Sequence, residues 1–235
     1  MNLKPGNLKR SLLTGLILVF LSPVTIAEGP EITWDLKDAL KQVDRQSDNF
    51  DTMMARAEFV RTDREGKETL RAQGTMFMSE KGDIRVDFDG DKPVTYLLYR
   101  RYLYIHYPRQ NRVEEYYLSR HKGRLEPYLR LGFSTSGNDL KKDFLLTSLG
   151  EKDVGTTRTL GLDLTPESSK MREVIGRAQL WIDQASWMPA QQIIDSTQQG
   201  ATLTVTYTYM ARNLNLNPDL FKDKWPRGTD KQKMK

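Results

Sequence analysis

A chain of 235 residues, with 36 Lys and Arg, 31 Asp and Glu, two His and no Cys, is long enough for one domain with a sizeable core. The lack of cysteine excludes disulfides, thiolate metal sites and acylation at a cysteine, and two histidines exclude a histidine-rich metal centre. A formal net charge of +5 gives little support to nucleic-acid binding, and less once the first residues are set aside.

Those first residues read as an address. "MNLKPGNLKR" carries Lys4, Lys9 and Arg10 with no acid, "SLLTGLILVFLSPV" is an apolar run short for a membrane span, and Thr25 and Ala27 are the small residues of a cleavage site. The pattern predicts a secretory signal peptide over residues 1–27, cleaved after Ala27, and a single domain over 28–235. Removing three basic residues leaves 33 against 31 acids, a net of +2. The expected location is therefore the periplasm, with no nucleic-acid partner. No second long apolar run follows Ala27.

"TWDLKDALKQVDRQ" places Leu36, Ala39, Leu40 and Val43 at helical spacing, which predicts an amphipathic helix needing a sheet beneath it, with Thr33 as N-cap and Asp35 and Asp38 near its positive end. From Thr52 the period changes to two. Met53, Ala55, Ala57 and Phe59 alternate with Met54, Arg56, Glu58 and Val60, and "DREGKE" turns into "TLRAQGTMFMS". "EKGD" and "DGDKP" are turn sequences flanking "DIRVDF".

"VTYLLY", "YLYIHY" and "RVEEYYL" follow as strands, then "LEPYLRLGF" and "NDLKKD" as helical pieces. After them come "FLLTSLGEK", "TRTLGLDLTP", "RAQLWID", "PAQQIID" and "ATLTVTYTYM". The last alternates Leu203, Val205, Tyr207 and Tyr209 with threonines, so its apolar side chains are expected on one face. Asn217 and Pro218 open a short helical turn, and the end is a basic tail read as a solvated terminus. The fold class is mainly β with helices (α+β): an incomplete antiparallel β-barrel of about eleven strands.

Catalytic groups are scarce. His106 sits inside a strand pattern and reads as a strand residue. "GFSTSG" has Ser136 where a nucleophile elbow needs glycine, "DFDGD" is not closed by a calcium-loop glutamate, and "GEKDVGTT" lacks the Gly-Lys-Ser/Thr of a phosphate loop. Asp87 with Asp89, and Glu114 with Glu115, have the spacing of ordinary polar strand faces. No catalytic residue, metal or cofactor is assigned, and a binding protein is expected rather than an enzyme.

"LDLTPES" followed by "RAQLWIDQASWMPAQQIIDSTQQGATLTVTYTYMARNLNLNPDLFKDKWPRG" resembles the C-terminal half of the LolA family of periplasmic carriers of outer-membrane lipoproteins. "YLYIHYPRQNRVEEYYL" is similar to that family's strand, turn and strand. The likeness spans nearly all of residues 33–228, and the order of these short motifs carries it. It implies a half-barrel lidded by the N-terminal helix and the mid-chain helical segment, enclosing an apolar cavity. It also implies the partners: acylated lipoproteins, an ATP-driven inner-membrane exporter of the LolCDE type, and an outer-membrane receptor of the LolB type where one exists. The carrier is expected to be a monomer. In "FMSEKGDIRVDF", Glu80 and Lys81 precede Gly82 where better-known members carry an aromatic, a basic residue and proline. The lid contact assigned to that basic residue is not carried over.

A three-chain lipid anchor with roughly forty methylenes, at about 0.8 kcal/mol each, represents on the order of 30 kcal/mol in a bilayer. A carrier must offer comparable apolar surface without polar demands in its wall. Alternation selects Met76, Met78, Ile84, Val86, Phe88, Leu103, Ile105, Leu162, Leu164, Leu180, Ile182, Leu203, Val205 and Tyr207 as that wall, and Leu36, Leu40 and Val43 as the lid face. The alternative reading is a periplasmic lipid-binding sensor or lipid carrier on the same half-barrel.

Overall fold

A computed structural model of the protein describes residues 34–118, 126–133 and 135–234. The expected signal peptide, Thr33 and His121 lie outside them. Helix α1 spans Leu36–Asp48 and starts later than expected: Asp35 is the extended N-cap, its carbonyl accepting from Asp38 N and Ala39 N. Ala39, Leu40 and Val43 are buried on the face that the spacing marks, and Trp34 meets Trp187 edge-on with ring centroids 4.6 Å apart.

Among the described residues, twelve strands form one sheet. They are β1 (Thr52–Asp63), β2 (Glu68–Ser79), β3 (Ile84–Phe88), β4 (Val94–Tyr99), β5 (Tyr102–Tyr107) and β6 (Arg112–Tyr117), then β7 (Phe144–Val154), β8 (Thr157–Pro166), β9 (Ile175–Asp183), β10 (Pro189–Ser196), β11 (Ala201–Arg212) and β12 (Asp230–Lys233). The order is β12-β6-β5-β4-β3-β2-β1-β11-β10-β9-β8-β7, so β1 and β11 join the two meanders at the centre and the outer strands do not meet. All pairs are antiparallel except β12 with β6. The incomplete barrel is present, with α2 (Gly137–Asp143) and α3 (Ser169–Arg172) beside it. Ser136, the residue that spoils the elbow motif, caps α2 by accepting from Asp139 N at 3.1 Å.

The twelfth strand corrects the reading of the tail. Lys231 pairs with Glu115 at 2.7 Å and with Asp223 at 2.5 Å, and its ammonium lies 4.9 Å from the centre of the Tyr104 ring. Lys222 and Lys224 both pair with Asp219. Carboxylates on β6 and in the segment before β12 hold the basic end as an edge strand, which charge alone does not reveal. On the way, Trp225 covers a small cluster on the convex face made by Leu97, Tyr104 and Val113.

His106 lies in that cluster, its ring 4.8 Å from Trp225, and its Nε2 meets no hydrogen-bond partner among the described residues. Burial lowers its pKa from the ordinary value near 6.5, the Arg85 charge adds to this, and Asp87 opposes it. The folded protein thus takes up a proton here less readily than the unfolded chain does. Stability is unaffected by His106 above about pH 6.5 and falls as pH drops below that value. Melting curves between pH 7 and pH 5 should show a smaller loss for His106→Gln than for the wild type; equal losses would place the acid sensitivity elsewhere.

The concave face is divided. On the β8–β10 side, Leu160, Leu162, Leu164, Ala178, Leu180, Ile182 and Ile194 pack under α1 as a closed core. On the β1–β4 side, Met53, Ala55, Ala57, Phe59, Met76, Met78, Ile84 and Val86 form a second cluster, joined by Leu129 and Phe133 from the mid-chain segment. One register shift matters for β11. Arg56 faces Tyr209 while Ala57 faces Tyr207, so a bulge at Thr208 turns Tyr209 to the other face, where it is 55% exposed. Leu203, Val205 and Tyr207 remain inside, and Tyr209 departs from the expected alternation.

Candidate functional site

A cavity of about 340 Å³ lies in the concave face between β1–β5 and the mid-chain segment. Strand direction orders its wall. Ile84, Leu98 and Leu103 stand at one end of their strands beside Leu129, which closes that end; Phe88, Val94 and Tyr107 stand at the other, near Arg61 of β1. Between them Phe59 meets Phe88 edge-on at 4.9 Å, and Phe88 meets Tyr96 at 5.3 Å. This is a greasy tube with rigid aromatic sides.

The open end is of different chemistry. Arg61, Leu70, Asp89, Lys92 and Gln199 surround it, and Leu70 is 49% exposed, a large apolar side chain at a polar rim. Asp89 is already engaged, its carboxylate 2.6 Å from the Arg56 guanidinium. The side chains of Arg61 and Lys92 have no ion-pair partner among the described residues.

The closed end is held by a buried amide. Gln192 of β10 has no exposed surface; its Nε2 donates to the carbonyl of Leu131 at 2.6 Å and to that of Leu129 at 3.2 Å. Its Oε1 accepts from the Tyr207 hydroxyl at 2.8 Å, and burial holds that hydroxyl well above the usual phenol range. Leu129 belongs to a 3-10 turn over Glu126–Arg130, and Leu129, Leu131 and Phe133 are all buried against the sheet. Gly132 between them has φ +82°, and a Cβ there would come within 2.7 Å of the Pro189 ring. Only glycine lets the segment lie this close. Downstream, Gly137 N donates to Asp44 Oδ1 at 2.6 Å and ties the start of α2 to α1.

Of the fourteen wall residues expected from alternation, Ile84, Val86, Phe88, Leu103 and Leu203 line the cavity. Met76, Met78, Val205 and Tyr207 lie on the same half of the sheet but are packed with Phe133 and its neighbours. Ile105 is buried between Tyr96 and Glu114 on the adjoining strands. Leu162, Leu164, Leu180 and Ile182 sit in the core under α1, away from the cavity. Leu36, Leu40 and Val43 pack on that same core, so α1 covers the β8–β10 half; of the mid-chain segment, Leu129 lines the cavity, while Tyr128 and Leu131 join the core under α1. Phe59, Ala72 and Leu98 line the cavity and follow the same alternation. Arg61, Lys92, Leu129 and Gln192 carry no local signal in the sequence.

The acid pairs noted in the sequence are held by structural partners. Asp87 pairs with Arg85 and accepts from Thr95 Oγ1 at 2.7 Å. Glu114 pairs with Arg112 and accepts from the Tyr116 hydroxyl at 2.8 Å, while Glu115 holds Lys231. No group of three His, Cys, Asp or Glu able to hold a metal occurs among the described residues.

No protein-family model matches the chain, and no curated protein matches it. Among solved structures, it is similar to an uncharacterized conserved protein from Thermus thermophilus, with a TM-score of 0.52 at 10% identity over 84% of this chain and 98% of that one. It is also similar to a LolA superfamily protein from Nitrosomonas europaea, with a TM-score of 0.40 at 12% identity over 79% and 96% of the two chains. For the Mycobacterium tuberculosis lipoprotein LppX the TM-score is 0.43 at 11% identity over 78% and 100%. The open sheet with a helix over its concave face is the fold shared with the Thermus thermophilus protein.

Proposed function

We propose that this chain is an exported carrier of acyl chains, a binding protein rather than an enzyme. Its cargo on this reading is lipoprotein taken from an inner-membrane exporter and passed to an outer-membrane receptor. The single observation that carries the reading is the apolar cavity over β1–β5, closed at one end by Leu129 and open at a mouth bearing Leu70. The sequence resemblance supplies the direction of traffic and the expected periplasmic location.

The size of the cavity sets a condition. If each methylene occupies roughly the 30 Å³ of a water-sized group, there is room for on the order of ten methylenes, about one acyl chain. A three-chain anchor needs more room than this cavity offers, and the buried Gln192 contacts hold Leu129, its mid-chain wall, in place. The same capacity favours a second reading, a carrier or sensor of single-chain lipid.

Mass spectrometry of the protein purified from the periplasm distinguishes them. Acylated lipoprotein bound to the chain supports the first reading, free lipid alone supports the second, and the absence of any lipid-derived ligand under conditions that retain acyl cargo on other carriers would sink both. A wall variant gives the matching control. Val86 is buried at the cavity wall, and Val86→Glu places a carboxyl among apolar groups without touching the core under α1. We expect a folded protein by circular dichroism with acyl binding weakened at least roughly tenfold; wild-type binding would exclude the cavity as the site.

A further inference from the structure

Arg61 and Lys92 stand at the open end of an apolar tube, and the function proposed above gives neither a task. Arg61 projects from β1 on the concave face, two residues beyond Phe59, with Leu70 and Leu203 as its cross-strand neighbours. It is partly buried. A guanidinium between leucines, with no carboxylate opposite, is an expensive arrangement unless something anionic arrives. Lys92 lies across the mouth in the turn between β3 and β4, exposed and beside Asp89. That carboxylate is turned to Arg56 instead, leaving two cations facing the entrance.

We infer that the cavity takes an amphiphile whose acyl chain of about ten methylenes lies between Phe59, Phe88 and Leu98, and whose anionic head, a phosphate or a carboxylate, is held at the mouth by Arg61 and Lys92. The tube supplies affinity through apolar burial, and the two cations choose the head and fix its end of the tube. Arg61 presents a planar fork suited to paired oxygens; Lys92 adds a point charge on a mobile stem. The inference rests on the reading of the cavity as an acyl-chain site and specifies the head that the site accepts.

The test is titration of the purified protein with dodecyl phosphate and dodecanol, both below their aggregation limits, and with inorganic phosphate as competitor. Dodecyl phosphate should bind roughly tenfold or more tighter than dodecanol, as charge-assisted hydrogen bonds allow, and the difference should shrink with added salt. The double variant Arg61→Gln/Lys92→Gln should bring dodecyl phosphate down to the dodecanol value and leave dodecanol unchanged, which shows that the fold and tube are intact. Inorganic phosphate should compete negligibly. Equal binding of the two amphiphiles by the wild type overturns the head-group assignment while leaving the acyl cavity standing. Binding of neither removes both, and competition by inorganic phosphate as strong as by dodecyl phosphate reduces the mouth to a simple anion site.

Discussion

Replacing Gln192 with alanine should release residues 126–133 from the sheet and lower stability by about 3 kcal/mol. The substitution removes one side chain but strands three polar groups: the carbonyls of Leu129 and Leu131 lose a buried donor, and the Tyr207 hydroxyl loses its acceptor. Each buried group left without a partner costs roughly 1–3 kcal/mol. The full sum is not reached, because the segment can lift and admit water. Lifting has its own cost, the exposure of Leu129, Leu131 and Phe133.

Hydrogen exchange separates this from general destabilisation. Amides of residues 126–133 should exchange faster in Gln192→Ala at denaturant concentrations where those of β1 and β11 are unchanged. Tyr207→Phe should cost only about 1 kcal/mol, since both amide donations survive. A variant whose 126–133 amides keep wild-type protection would show that apolar contacts alone hold the segment.

Much of this architecture is legible from residue order. Period-two runs report a face most directly in β1, the second half of β2, β3 and β10, whose burial alternates against one layer, whereas β5 and β8 are buried on both faces and are legible as apolar runs between turns. The helix is legible for the same reason at its own period. What alternation cannot report is what covers the face. Leu162 and Val86 have the same pattern and are both buried, yet one lies under α1 and the other at the cavity wall. That difference is made by α1 and by residues 126–133, elements distant in the chain from the strands they cover.

Tyr209 fails for a local reason, since a one-residue bulge reverses every face assignment beyond it and Thr208 gives no hint of its place. The tail fails for a long-range one. Lys231 reads as a solvated cation until Glu115 and Asp223 are brought to it by the pairing of β12 with β6. Gln192 is the hardest of all. A single polar residue in a strand predicts a solvent-facing position, and its burial makes sense only when two carbonyls from a non-regular segment reach it.

The division of the concave face predicts that two leucine truncations of equal chemistry will differ in kind. Leu180 has no exposed surface and sits in the core between the sheet and α1. Leu180→Ala leaves a new void among well-packed neighbours and should cost about 3 kcal/mol, near the middle of the range for buried leucine. Acyl binding at saturating folded protein should be unchanged, because Leu180 does not line the cavity. Leu98 is also buried, but one side of it already faces the cavity. Its truncation removes fewer packing contacts and extends a space that exists, so about 2 kcal/mol is expected.

The larger effect of Leu98→Ala should fall on ligand choice. The added length lies beside Leu129 at the closed end, so longer chains than those preferred by the wild type should gain affinity while shorter ones lose it. Denaturant titration and a series of alkyl phosphates of increasing length measure the two quantities on the same samples. If Leu180→Ala alters chain-length preference as much as Leu98→Ala does, the two halves of the concave face are energetically one cavity, and α1 must be counted as part of its lid. If only Leu98→Ala does so, the sheet carries its stability on the β8–β10 side and its binding on the β1–β5 side, with Leu129 setting the length of chain the cavity accepts.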